Sequence, residues 1–234
     1  MRNIKAVFTK QILSFFKNPS MYGAPASFLL LPFVMLILIA DIEMDIVAAQ
    51  FVVMFVGISM VGTAAAFIME DRATMNLRFM GMAGVKPYQY LIATCAALLL
   101  ISFGALILFG LIGQHRGEAM IIFLIVSMLG AANSMLLGIT LGLSKLAPFT
   151  SLVGMLLGIG PMFSGANEVL ERIFHFTYTQ QVTNALRGDL DISLEYAMRI
   201  ILINTAVLLV AFIIMNIRTG LDGERLTKKG NGKQ

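Results

Sequence analysis

Six long apolar blocks, separated by short polar stretches, dominate the hydropathy pattern. They predict membrane-spanning helices at about Met21–Ala40, Ile46–Met69, Tyr88–Gly113, Ala119–Leu143, Ala147–Gly165 and Tyr196–Ile217. Each block is long enough to cross a hydrocarbon core of roughly 30 Å at ~1.5 Å per residue. The fifth is the shortest and the richest in breakers, with Pro148, Gly154, Gly158, Gly160, Pro161 and Gly165. The first twenty residues differ from all of these. Ile4, Val7, Phe8, Ile12, Phe15 and Phe16 recur at helical spacing, with Arg2, Lys5, Lys10 and Lys17 among the polar positions. That pattern predicts an amphipathic helix lying on a membrane surface, ended by Asn18-Pro19. The competing reading is a solvated leader. The stretch has no unbroken apolar core or small-residue cleavage site of the kind a signal peptide carries.

Charge placement orients these spans. With the N-terminus in the cytoplasm, thirteen of the 17 Lys and Arg residues fall on the cytoplasmic side, in residues 1–20, 70–87, at Lys145 and from Arg218 onward. Nine of the 13 acidic residues fall on the other side. This asymmetry predicts a multi-pass protein of the cell membrane with both termini cytoplasmic and a basic tail over 218–234. The fold class expected is all-α, one six-span domain over 21–217. Composition agrees: charged residues make up 13%, about half the share usual in soluble domains.

Candidate chemistry is sparse. No charged side chain lies in the middle of a predicted span, whereas ion- and proton-coupled transporters usually need one at depth. No phosphate-binding G-x-x-x-x-G-K-[ST] loop occurs. His115 and His175 fall in separate outer loops without ligands at metal-binding spacing. Ser134 and Ser164 lack the buried histidine that an intramembrane serine protease would need. Cys95, alone and mid-span, reads as a small buried hydrophobe. Neither an enzyme nor a nucleic-acid binder is expected.

The polar stretch "EDRATMNLRFMGMAGVKP", 70–87, is too long for a minimal connection. Glu70 and Asp71 are positioned to supply the acidic start of a short helix. Met75, Phe79 and Met82 then share one face, with Arg72, Asn76 and Arg78 elsewhere. Such a Met/Phe stripe suits docking into a groove on another protein. An interfacial loop with snorkelling arginines is the alternative.

This stretch, followed by "GVKPYQYLIA", resembles the corresponding region of permease subunits of type 2 ABC exporters. So does the leader with its proline-containing first span, "FTKQILSFFKNPSMYG" through "LLLPFVMLIL". "MLLGITLGL" and "APFTSLVGMLLGIGPMFSGA" are similar to the family's fourth and fifth spans, and "FHFTYTQQVTNALRGDL" to its outer segment. The resemblance implies that 70–87 docks on a separate ATPase subunit, two per complex, which binds ATP and Mg. No cofactor is expected on this chain. Candidate coupling residues are Glu70, Asp71, Arg72, Met75, Arg78 and Phe79, with the acids and arginines orienting the contact and the apolar stripe anchoring it. The resemblance also implies a half-transporter that pairs with a second copy or a similar permease.

Residues 166–195 predict two short helices. One begins at Asn167-Glu168 with Val169, Leu170, Ile173 and Phe174 on its apolar face; the other runs from Gln180 to Arg187. The family places two re-entrant helices here. Glu168, Glu171 and Arg187 are the candidate outer-gate residues, Arg187 closing the vestibule, pairing with Glu168, Glu171 or Asp189, or standing solvated in a loop. Gly138-x-x-x-Gly142 and Gly154-x-x-x-Gly158 allow close helix contact, within the subunit or between subunits. The neutral, Phe- and Met-rich spans favour an amphipathic or hydrophobic cargo: a drug, a lipid-linked molecule or a membrane-active peptide. A different functional class, a non-transporting membrane module for immunity to or sensing of a toxic peptide, fits the same composition.

Overall fold

The computed structural model describes residues 2–38, 44–164, 168–187 and 194–219. All regular structure among them is helical. Helix α1 spans Arg2–Lys17 and α2 Pro19–Leu38. Next comes one long rod: α3 (Met44–Met54), a π-helical stretch (Phe55–Met60) and α4 (Val61–Ala73). The short α5 (Asn76–Met82) leads into α6 (Pro87–Ile112) and α7 (Glu118–Leu143). A 3-10 turn (Ala147–Phe149), α8 (Thr150–Phe163), α9 (Glu168–Phe174), α10 (Tyr178–Arg187) and α11 (Leu194–Thr219) complete the order.

Among the described residues, four helices are long and apolar enough to cross a membrane: Asp45–Ala73, Pro87–Ile112, Glu118–Leu143 and Leu194–Asn216. The other two expected spans correspond to shorter apolar helices, Met21–Met35 within α2 and Ala147–Phe163 around α8. The expected ends Ala40 and Gly165 lie outside the described residues.

The rod from α3 to α4 is the axis of the bundle. Val52, Phe55, Val56, Val61, Ala64, Phe67 and Ile68 along it are all buried. Its neighbours approach closely because the contacts are built from small residues. A Cβ on Gly138 of α7 would lie 2.4 Å from the Val61 carbonyl oxygen, and one on Gly142 3.0 Å from that of Ala65. On the other side, a Cβ on Gly57 would lie 2.5 Å from the Gly158 Cα of α8. Both G-x-x-x-G pairs therefore bring helices together inside the subunit, where backbone meets backbone. The π-helical stretch is where α8 crosses, and such insertions are frequent at functional sites. α11 packs on α7, with Asn133 Nδ2 donating to Thr205 Oγ1 at 3.0 Å. Its remaining face, with Leu202, Ile203, Val207 and Val210, is exposed.

Gly138→Leu is expected to drive α4 and α7 apart and abolish the folded species seen on size exclusion in detergent. Gly62→Ala adds a Cβ with nothing within 4 Å. It should leave the thermal midpoint unchanged or raise it, since Ala outranks Gly in helix interiors by about 0.5–1 kcal/mol.

Candidate functional site

The charged stretch 70–87 is folded as a joint between five helices. Glu70, Asp71 and Arg72 form the last turn of α4, not the start of a new helix, so the expectation of acids at a helix N-terminus is corrected. Two carboxylates at a helix C-terminus oppose the macrodipole. Each is held by donors from elsewhere.

Asp71 is 2% exposed. Lys10 of α1 forms an ion pair with Oδ1. Asn76 Nδ2 of α5 donates to the same oxygen at 3.1 Å. Gln11 Nε2 of α1 donates to Oδ2 at 3.0 Å and the Tyr90 hydroxyl of α6 at 2.8 Å. Gln11 Nε2 also reaches Thr94 Oγ1 at 3.1 Å. One carboxylate thus collects donors from three other helices. Removing it would leave those donors facing a dry interior, which is costlier than the net worth of the bonds themselves.

Its two neighbours tie further elements. Glu70 Oε2 accepts from Asn18 Nδ2 at 3.0 Å, at the α1–α2 junction. Arg72 donates to the carbonyls of Gly142 at 2.9 Å and Leu143 at 3.2 Å, the last two residues of α7. Those carbonyls have no intrahelical partner, and a cation there also complements the α7 dipole. The bare backbone of Gly142 lets α7 come near enough to α4 for this contact.

α4 and α5 are separated by a break. Thr74 Oγ1 donates back to the Glu70 carbonyl at 2.7 Å, and Met75 adopts a left-handed conformation with φ 56°. A non-glycine residue there is strained. The break swings α5 across α1. Gly84, with φ 76°, ends the segment, and its carbonyl accepts from Asn3 Nδ2 at 3.2 Å. The turn after α5 is therefore tied to the start of α1, and Asn76 of α5 shares the Asp71 carboxylate with Lys10 and Gln11.

What remains outward is the apolar stripe. Met75, Phe79 and Met82 are 57%, 60% and 64% exposed. Arg78 is exposed beside them. A groove of about 330 Å³ runs between α5 and α1, lined by Ala6, Val7, Lys10, Phe79, Met80 and Val85. Of the six candidate coupling residues, Met75, Arg78 and Phe79 face outward, whereas Asp71 is turned inward and Arg72 caps α7. The structure adds Lys10, Gln11, Asn18, Asn76 and Tyr90 as the partners that hold them. Gln11 was visible in the sequence as a polar residue on the apolar face of α1, four residues after Val7 and four before Phe15.

At the opposite end, α9 and α10 form as expected, α10 starting two residues earlier at Tyr178. Phe174 of α9 is buried, and a Cβ on Gly160 would lie 2.1 Å from its Cζ. Val169 and Ile173, expected on the same apolar face, are exposed. Glu168, Glu171, Arg172 and His175 line a polar hollow of about 390 Å³. Arg187 is not among them: it donates to Gln50 Oε1 of α3. The pairing with Glu168 or Glu171 is corrected accordingly, because α10 packs against α3, α7 and α11 and carries Arg187 away from α9. Asp189 lies outside the described residues.

α10 is buried along a polar face of Thr179, Gln181, Thr183 and Asn184. The Tyr178 hydroxyl and Ser134 Oγ of α7 share a hydrogen bond of 2.7 Å. Three carbonyls at the α9–α10 turn accept from side chains, and that of Thr177 accepts from the Gln181 backbone N–H at 3.2 Å. Thr177 Oγ1 donates to Phe174 at 2.7 Å, Gln181 Nε2 to His175, and Asn204 Nδ2 of α11 to Phe176 at 2.9 Å.

Asp71→Ala is expected to cost roughly 3 kcal/mol, the low end for breaking a buried pair, because the Lys10 side chain is 36% exposed. Trypsin cleavage after Lys10 and Lys17 in proteoliposomes should accelerate in that variant as α1 loosens. Arg78→Ala should leave both the thermal midpoint and the cleavage rate unchanged. Comparison with protein-family models, curated proteins and solved structures finds no match for this chain.

Proposed function

We propose that this chain is the transmembrane permease subunit of an ATP-driven exporter of the type 2 ABC kind. Separate ATPase subunits, two per complex, bind ATP and Mg and press on α5 from the cytoplasm. The observation that carries the reading is the joint at Asp71. An exposed Met/Phe stripe on α5 is fastened through one buried carboxylate to α1, to α6 and to the central α3–α4 rod. An interfacial loop needs no such fastening. A segment that receives force does, because force applied to a loose helix would be lost as local motion. Each span satisfies its own backbone hydrogen bonds and moves as a rigid body.

In this reading α2 and α8 are the first and fifth of six spans. The 20 residues of α2 rise about 30 Å, the thickness of a hydrocarbon core. The bias of Lys and Arg places both termini and α5 in the cytoplasm of a cell-membrane protein. α9 and α10 are re-entrant. Two contacts support this: the Phe176 carbonyl meets Asn204, ten residues into α11, and Tyr178 meets Ser134, sixteen residues into α7. Turn carbonyls satisfied by side chains are what irregular backbone requires at that depth. The permease pairs with a second copy or a similar chain, and the cargo is amphipathic or hydrophobic.

Tagged protein solubilised from its native membrane should co-purify with a nucleotide-binding subunit. In that complex Phe79→Asp should lower ATP hydrolysis at least about tenfold or abolish assembly, as loss of a buried aromatic anchor does. A protein that purifies alone, without a nucleotide-binding partner, would support the immunity or sensing module instead.

A further inference from the structure

The apolar stripe of α5 carries a charge inside it. Within α5, Arg78 and Phe79 lie four and three residues before Met82, so these three side chains share one face. Arg78, Phe79 and Met82 are exposed, whereas Asn76, Leu77 and Met80 are half-buried. The expectation that Arg78 lies off the stripe is corrected accordingly. We propose that the surface receiving this face is an apolar pocket with a carboxylate set inside it, and that this carboxylate pairs with the Arg78 guanidinium. The inference rests on the exporter reading and names the chemistry of the ATPase surface that meets α5.

Three observations carry it. First, a pocket that takes Phe79 and Met82 covers Arg78 with them. A guanidinium stays charged in such a contact, and a buried charge without a partner is costly. Second, this chain offers Arg78 no carboxylate among the described residues. α1, α5 and α6 contain no Asp or Glu, and neither does the 144–149 turn. Glu118 and Glu195 stand in the first turns of α7 and α11, at the opposite end. Glu70 already holds Asn18, and Asp71 is buried in the joint. The ion pairs among the described residues, Lys10–Asp71 and Arg199–Glu195, leave Arg78 out. Third, the charge sits within the apolar face and not at its flank. A helix lying on lipid keeps its cations at the sides, where they reach headgroups, and its apolar face uncharged. An arginine between Phe79 and Met82 suits a protein pocket, where it pairs with a carboxylate through two parallel hydrogen bonds. Lys86, just before α6, and Lys145, just past α7, are exposed as well, so the approach to the joint favours an acidic partner.

The test uses the tagged complex, solubilised with the nucleotide-binding subunit that co-purifies. Arg78→Gln should keep the thermal midpoint of the permease and lower the amount of that subunit retained at least about tenfold. Arg78→Lys should restore part of it. In the Arg78→Lys complex a carbodiimide should join the lysine amine to an Asp or Glu of the nucleotide-binding subunit as an amide, mapped by mass spectrometry. Wild-type retention by Arg78→Gln overturns the proposal, as does a retained Arg78→Lys complex that yields no amide link to the subunit. A benzophenone side chain in place of Arg78 that cross-links only phospholipid in native membranes overturns it too, and assigns the face to the membrane. The two readings fail separately. Wild type that purifies without a nucleotide-binding subunit ends the exporter reading and this one with it. Loss of the subunit in Phe79→Asp but not in Arg78→Gln ends this one alone.

Discussion

The Asp71 carboxylate is the constraint on which the rest of this end of the molecule depends. It sits in a dry interior, at the wrong end of a helix dipole, and survives there because three other helices bring it donors. Those donors fix where α1, α5 and α6 lie relative to the central rod. Once α1 is fixed, Asn18 is placed against Glu70 and the direction of α2 follows. Once α4 is fixed, Arg72 caps α7. Hydrophobic burial gathers these helices but is non-directional. The carboxylate supplies the direction.

Glycine does the complementary work along the rod. Gly57, Gly138, Gly142 and Gly158 add no side chain of their own, so α7 and α8 come close against the axis. Lipid is as apolar as leucine, so tight backbone contact, not hydrophobicity, distinguishes one helix neighbour from another. In the proposed transporter the two devices act in series. The polar joint takes up force at α5, and the glycine contacts pass it to α7 and α8 as motion of whole helices. The break at Met75 sets the angle between α4 and α5.

Much of this was legible in the sequence, and the reason is periodicity. The amphipathic repeat gave α1, four of the six long apolar blocks gave helices long enough to cross a membrane, and the Met/Phe spacing gave the outward stripe at α5. The contacts of the charged start of the same segment were less legible. Glu70, Asp71 and Arg72 read as ready for a partner because charged residues normally face out. Within the chain they contact Lys10, Gln11, Asn18, Tyr90 and the end of α7, many residues away, besides Asn76 close by. The left-handed Met75 carried no signal, because methionine has no preference for that conformation. For Arg187 the sequence left closing the vestibule, pairing with nearby acids and solvation open, whereas its acceptor, Gln50, is 137 residues distant. Local rules see neighbours in sequence; joints are made of neighbours in space.

The most direct measurement places spin labels at Ala83 at the end of α5 and at Ile46 near the start of α3, in membranes holding the proposed complex. The distance between them within one subunit is read by pulsed electron paramagnetic resonance before and after addition of ATP and vanadate. With the Asp71 joint intact, this account predicts a single narrow distance in both states, because α5 and the rod move as one body, and a broadened, nucleotide-sensitive distance in Asp71→Asn. A distance that changes with nucleotide in the wild type, or that stays narrow and fixed in Asp71→Asn, would contradict it.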